Sequence, residues 1–445
     1  MQLKRSLAAA AAGLLAGGHA CAQAADESST SLDSAVLYYH EQDRIRAIEP
    51  QFSLTYKVDE DTSFNAGLVA DSLTGATPLG SVPSSQQQTY VRPYKVVALG
   101  TPTTVTTASG GSTVVLIPPA SGATSQTLAA SSVVDPNTLP LDHGFKDTRM
   151  AGHLGISQTL TQTLKLQGGV AYSHEHDYRS LSANLGLAQD FNSHNTTLNA
   201  GLNYEHDTSN PLGGTPTPFT VMSGDWKGAN ETKREIDALV GVTQVLSRRW
   251  LASLTFSYGS SHGYQNDPYK LISVVDAVTG EPTQQLYESR PDSRRKQSLF
   301  LDNRVHLGAG VLSASLRGYK DDWGIKSVTG DVRFRWNLGE DYYIEPHARY
   351  YHQNAADFFR FFLVDGAALP QNASADTRLA AFHSQTYGVK FGMQIDRGSE
   401  FNLRLEYYDQ HGNGAPANAI GQLRQQNLFP DLKAFTVMVG YSYSF

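Results

Sequence analysis

Cysteine is nearly absent: the 445-residue chain has one, Cys21. A single thiol cannot pair within the chain, which excludes a disulfide-stapled module. Long apolar runs are missing as well. A helical membrane protein needs repeated runs of about 18 or more apolar residues. The one approach to such a run is an Ala-rich stretch at the N-terminus, and it is shorter. Positive charge is not in excess. The formal net charge is −7, against a dedicated nucleic-acid binder, so no nucleic-acid partner is expected. No zinc-ligand spacing, phosphate loop or dinucleotide fingerprint occurs, and no cofactor or metal is predicted. Aromatic residues, by contrast, are plentiful. The chain carries 22 Tyr, 18 Phe and 4 Trp, which excludes a disordered polymer. Two classes remain: a large soluble all-β protein, or a membrane barrel whose apolar face is diluted by an alternating polar one.

The first residues read as an export signal. Lys4 and Arg5 precede the apolar stretch 7–18, and Ala20-Cys21-Ala22 and Ala22-Gln23-Ala24 offer cleavage after Ala22 or Ala24. Removal of residues 1–24 takes away two basic residues, moving the net charge from −7 to −9, and takes away Cys21. The rival reading is a lipoprotein anchored through Cys21, but Gly18-His19-Ala20 makes a poor lipobox. Export with no mature cysteine suits the periplasm or the outer membrane.

After the signal, the dominant pattern has period two. Phe435, Val437, Val439, Tyr441, Tyr443 and Phe445 alternate with Thr436, Met438, Gly440, Ser442 and Ser444. Val332, Phe334 and Trp336 alternate with Asp331, Arg333 and Arg335. Tyr387, Val389 and Phe391 alternate with Gly388, Lys390 and Gly392. Alternation alone fits a sandwich as well as a barrel. Three features favour the barrel. Segments run to about 10–14 residues, long for a sandwich strand. Tyrosines gather at segment ends, at 38–39, 342–343, 350–351 and 407–408, as interface girdles do. Connections alternate between short and long.

The segments number about sixteen. They fall at 34–40, 45–58, 62–73, 146–158, 163–174, 178–190, 195–207, 233–246, 249–262, 294–307, 311–320, 325–338, 342–354, 382–396, 400–411 and 433–445. Short turns follow even-numbered segments. Long connections, at 74–145, 208–232, 263–293, 355–381 and 412–432, all follow odd-numbered ones. This parity matches short periplasmic turns and long extracellular loops. The prediction is a single antiparallel transmembrane β-barrel domain over 25–445, surrounded by outer-membrane lipid. Loop 74–145 stands apart: between Thr74 and Val134 only Arg92 and Lys95 are charged. It reads as a variable surface loop, with a hairpin near Ser112–Ile117, or as a plug folded into the lumen.

The predicted lumen face carries Lys165, Asp237, Arg304, His306, Asp331, Arg333, Arg335, Lys390, Arg404 and Glu406. Both signs occur, so these residues could pair structurally or filter solutes by charge. Arg333, Arg335 and Arg404 would favour anions. His174-Glu175-His176-Asp177 and Glu205-His206-Asp207 close two outward-running segments and could bind a divalent metal, although a solvated, polar rim is the favoured reading. Ser261 lies in Gly259-Ser260-Ser261-His262-Gly263, which matches a nucleophile-elbow pattern without the helix that such an elbow needs. No catalytic residue is assigned. Asn266 to Lys270 and Arg290 to Arg295 frame a charged, turn-rich loop that reads as structured.

Several stretches carry a resemblance: 49–54, 59–62, 71–76, 266–270, 289–294, Asp321-Asp322-Trp323-Gly324-Ile325 and Tyr350 to Phe358. Together they resemble an uncharacterised, domain-of-unknown-function family of Gram-negative outer-membrane β-barrel proteins. The resemblance implies fold and location, and no activity. Tyr441, Tyr443 and Phe445 look like the β-signal read by the barrel-assembly machinery. The leading functional expectation is a passive pore for small solutes. The alternatives are a binding or anchoring barrel with a closed lumen, and an outer-membrane enzyme.

Overall fold

The computed structural model describes residues 30–97, 104–106, 113–115, 125–223 and 228–445. The export segment and Cys21 lie outside the described residues. Sixteen strands form one closed barrel. They are β1 (Ser31–Glu41), β2 (Arg46–Lys57), β3 (Thr62–Pro78), β4 (Leu141–Thr161), β5 (Leu164–His174), β6 (Tyr178–Phe191), β7 (Thr196–Ser209) and β8 (Glu231–Ser247). β9 (Trp250–Gly263), β10 (Ser293–His306), β11 (Gly310–Asp321), β12 (Lys326–Leu338), β13 (Tyr342–Gln353), β14 (Phe382–Asp396), β15 (Ser399–Gly412) and β16 (Leu432–Ser444) follow. β16 pairs antiparallel with β1 from Ser31↔Ser444 to Glu41↔Ala434, so the ladder has no free edge. Closure matters in hydrocarbon, where every backbone N–H and C=O must find its partner within the protein.

The strand number and the parity of the connections agree with the alternating pattern. The largest boundary difference is at β3 and β4. The pattern ends these strands at 73 and 146, whereas they continue to Pro78 and begin at Leu141. A register shift between Gly75 and Thr77 breaks the two-residue period there, so alternation carries no signal past it. The described residues of the connection form two further strand pairs. Gln88–Val97 pairs with Ser125–Val134, and Thr104–Thr106 pairs with Thr113–Val115; of the hairpin expected at 112–117 only 113–115 lies among the described residues, and it pairs with 104–106 instead.

The outer surface of the barrel is apolar. Leu68, Leu154 and Val240 are 62–63% exposed, and most barrel strands turn large hydrophobic side chains outward. A continuous band of this kind is stable against lipid and not against water. The tyrosine pairs divide between the two faces, because neighbouring strand residues point oppositely. Tyr38, Tyr342, Tyr350 and Tyr407 face out, while Tyr39 and Tyr343 are buried on the inner side. Only one member of each pair can therefore belong to a girdle.

Five long connections fold together at one end. Leu271–Val275 pairs antiparallel with Pro282–Tyr287 and parallel with Phe362–Val364, forming a small sheet outside the barrel wall. One buried cluster joins Val82, Val275, Phe362, Ala419, Leu423 and Leu428, which come from four different connections. The fifth connection, after β7, joins through Phe219 N–H to Tyr287 O at 3.0 Å. The four connections spring from β3/β4, β9/β10, β13/β14 and β15/β16, positions spread around the ring. Their common core therefore spans the mouth as a cap. Separate surface loops would not bury such a core.

Candidate functional site

Parity places the predicted lumen residues. On β12, Val328, Val332 and Trp336 are exposed on the outside, so Asp331, Arg333 and Arg335 face inward. The same argument turns Lys390 on β14, and Arg404 and Glu406 on β15, inward opposite Phe391, Leu405 and Tyr407. Asp237 on β8, Arg304 on β10 and Lys165 on β5 lie opposite exposed Val240, Leu301 and Val170. His306 is exposed at the turn end of β10, where its Nδ1 accepts from Gly308 N–H at 3.3 Å.

The structure gathers four of these residues around one that the sequence reading missed. His347 on β13 places Nε2 2.9 Å from Asp331 Oδ2 and Nδ1 3.0 Å from Glu406 Oε1. Arg333 Nε lies 3.4 Å from Asp331 Oδ1, and Arg404 Nη1 lies 3.5 Å from Glu406 Oε1. The contact from His347 to Glu406 crosses a whole strand. In register, His347 opposes Gly388 on β14, and Gly388 opposes Glu406. A Cβ at Gly388 would sit 2.7 Å from Glu406 Cγ, so the glycine is the slot through which the carboxylate reaches the ring. Gly259 on β9 does the same for Asp237 and Lys296, on the strands either side of it. The signal for His347 was present: Tyr343, Glu345, His347 and Arg349 alternate with Tyr342, Ile344, Pro346 and Ala348. Pro346 on the outer face obscured it.

A second tier lies nearer the turns. Arg335 stacks 3.6 Å above the Tyr343 ring, whose hydroxyl donates to Glu400 Oε1 at 2.7 Å. Lys390 Nζ approaches Glu400 at 3.9 Å. Arg304 and Asp237 belong to other groups. Arg304 Nε is 3.5 Å from Asp302, and Asp237 Oδ1 is 4.0 Å from Lys296 Nζ. Lys296 also pairs with Glu235, and Lys233 pairs with Asp207 at 2.8 Å.

The cap is held by a cage of six charges, of which Lys270, Glu288, Arg290 and Asp376 are buried and Asp267 and Arg378 half-buried. Arg290 lies 2.7 Å from Glu288 and 2.8 Å from Asp376. Arg378 lies 2.5 Å from Asp376 and 2.9 Å from Asp267. Lys270 completes the set electrostatically and donates to Pro78 O. Three acids face three bases, so the cage is neutral. Burial alone would raise the Asp376 carboxyl, but Arg378 and Arg290 hold it well below the usual carboxylate range. Asp267, Lys270 and Arg290 fall in the two charged stretches that the sequence marked as structured, whereas Glu288, Asp376 and Arg378 lie outside them.

Beneath the cap lies a cavity of about 380 Å³, walled on one side by Ile45, Leu73 and Phe145 and on the other by Pro268–Lys270. At its rim the carboxylates of Asp147, Glu175 and Asp177 have oxygens within 4.8 Å of one another. The predicted rim cluster is thus divided. Glu175 and Asp177 join Asp147 rather than His174, and His176 lines the cavity. Three such carboxylates offer oxygen ligands of the kind a hard cation takes. Ser261 sits within β9 and not on a strand-to-helix turn, and its Oγ accepts from Gln265 Nε2 at 2.8 Å.

A family model described as "Protein of unknown function (DUF3570)" matches residues 4–443. A search of curated proteins finds no significant sequence match. Among solved structures, the ferric enterobactin receptor (PfeA) of Pseudomonas aeruginosa is similar at 12% identity and a TM-score of 0.42, over 90% of this chain. The chain spans 58% of that receptor's length. The CymD monoaromatic hydrocarbon channel is similar at 9% identity and a TM-score of 0.39, over 95% of this chain and 90% of that one. The outer membrane protein opdK from Pseudomonas aeruginosa is similar at 9% identity and a TM-score of 0.38, over 94% of this chain and 99% of that one. The fold assignment rests on the closed sixteen-stranded ladder itself.

Proposed function

The chain belongs to the DUF3570 family of proteins of unknown function, and from that premise we propose that it is a passive outer-membrane pore for small polar solutes. The observation that carries this reading is the solvation of the inner wall. Asp237 and Arg304 face inward, yet their side chains are 41% and 36% exposed. A barrel of this size leaves an aqueous interior unless something fills it, and charges kept in solvent there line a path for water and ions. Arg333, Arg335 and Arg404 on one sector of the wall favour anions. Export by the N-terminal signal and insertion through the C-terminal strand belong to the same proposal. Tyr441, Tyr443 and Phe445 lie 39–62% exposed on the outer face, available to the assembly machinery. The test is planar-bilayer recording of the purified, folded barrel. Stepwise currents are expected, and a folded barrel that passes none refutes the pore.

The cap favours a second reading, a binding barrel with a closed lumen. Removal of residues 80–138 separates the two. A capped pore keeps or gains conductance, whereas a closed barrel stays silent and a binder loses its ligand.

A further inference from the structure

His347 has no role in either reading so far, yet its ring is held on both sides by carboxylates of the inner wall. Both ring nitrogens face carboxylate oxygens, at 2.9 Å from Asp331 and 3.0 Å from Glu406. A neutral imidazole has one N–H and would turn a lone pair toward one of those carboxylates. Only the doubly protonated ring donates to both. The ring is 7% exposed and is fixed from two sides, by β12 and through the Gly388 slot from β15. Around it stand Arg333, paired across β12 and β13, Arg404 beside Glu406, and Arg349, paired in register with Asp331. Without a charged ring, three cations face two anions. With it, four face two, and both carboxylate oxygens nearest the ring are occupied.

We propose that His347 is the residue that sets the ionic preference of the lumen, by masking Asp331 and Glu406 so that the surrounding arginines define the field met by a passing solute. The solute class it selects is small anions, carboxylates and inorganic anions included. This rests on the pore reading above. A unit charge about 10 Å from the permeation path in water changes local ion concentration about twofold. Loss of the ring also unmasks two carboxylates, so the shift in anion-to-cation permeability is expected to exceed twofold.

The experiment is the reversal potential of the full-length barrel under a potassium chloride gradient, for the native chain, His347→Gln and His347→Lys. The native pore should prefer chloride. His347→Gln should lower the chloride-to-potassium ratio more than twofold while single-channel conductance stays within about twofold. His347→Lys keeps a cation between the carboxylates and should keep most of the preference. Equal shifts in both variants, or none in either, overturn the proposal, because the charge at 347 would then not matter. If His347→Gln fails to fold, His347→Lys with Asp331→Asn decides: unmasking fewer carboxylates should raise chloride preference, and a fall overturns the proposal. A folded native barrel that carries no current defeats the pore reading itself, and this inference with it.

Discussion

Replacing Arg290 by Met removes one cation from the cage that ties the cap together. The side chain is 2% exposed and serves Glu288 at 2.7 Å and Asp376 at 2.8 Å. Asp376 would keep Arg378, but Glu288 would lose its paired cation and keep the Ser374 hydroxyl at 2.5 Å and the Asp267 N–H at 2.6 Å as donors, with Lys270 acting on it only at a distance. A carboxylate left buried without its cation costs about 3–5 kcal/mol. Charged to the opening of the cap, and not to the whole barrel, that cost raises the open population by about two to nearly four orders of magnitude. The assay is amide hydrogen exchange across 271–287 and 362–376, with limited proteolysis as a second probe. The double variant Arg290→Met/Glu288→Met restores two acids against two bases and should recover most of the protection. Unchanged exchange in Arg290→Met would mean that the cage does not hold the cap. A double variant no better than the single one would mean that packing, not charge, was lost.

Gly388→Ala places a methyl group 2.7 Å from Glu406 Cγ, and overpacking of this kind costs about 1–3 kcal/mol. The barrel should fold but unfold at lower temperature in a heat-modifiability gel; an unchanged midpoint would deny the slot. The pH response of the cap has a definite sign. The folded Asp376 carboxyl lies well below its unfolded value of about 3.9, so its stabilisation is complete above that value and is lost as pH falls through the folded one. Burial pushes the Glu288 carboxyl of the same cage the other way, so its contribution can only grow on acidification, and protease resistance of the cap should not fall from about pH 8 to 5 and should fail only below about pH 3; opening between pH 7 and 5 would contradict the assignment. Ser261→Ala and His262→Ala should leave conductance and ion selectivity unchanged, and a changed current–voltage curve would give this stretch a role that its geometry does not suggest.

The barrel was legible because one rule governs all sixteen strands. An apolar outer face and a polar inner one force alternation, and alternation is visible in residues such as 435–445 without knowledge of any partner. The cap was not legible, since its core gathers Val82, Val275, Phe362 and Leu428 from connections with no common period. Only its charged stretches, 266–270 and 290–295, gave a local signal. The inner wall lies between these cases. Parity finds which charges face inward, including Arg333 and Glu406. It cannot find that His347 meets Glu406, because that depends on a glycine on the intervening strand and on the register of three strands at once.

The cap also ties the two ends of the chain to each other. Gln422 donates to Pro83 O at 2.9 Å across 339 residues of chain, and the connection that carries Gln422 ends where β16 begins. In the closed barrel these partners lie on connections at opposite ends of the chain, next to the seam where β16 pairs with β1. Protease protection of this contact is therefore expected to report that the seam and the cap are both in place, as a loop of that length is costly to close without them.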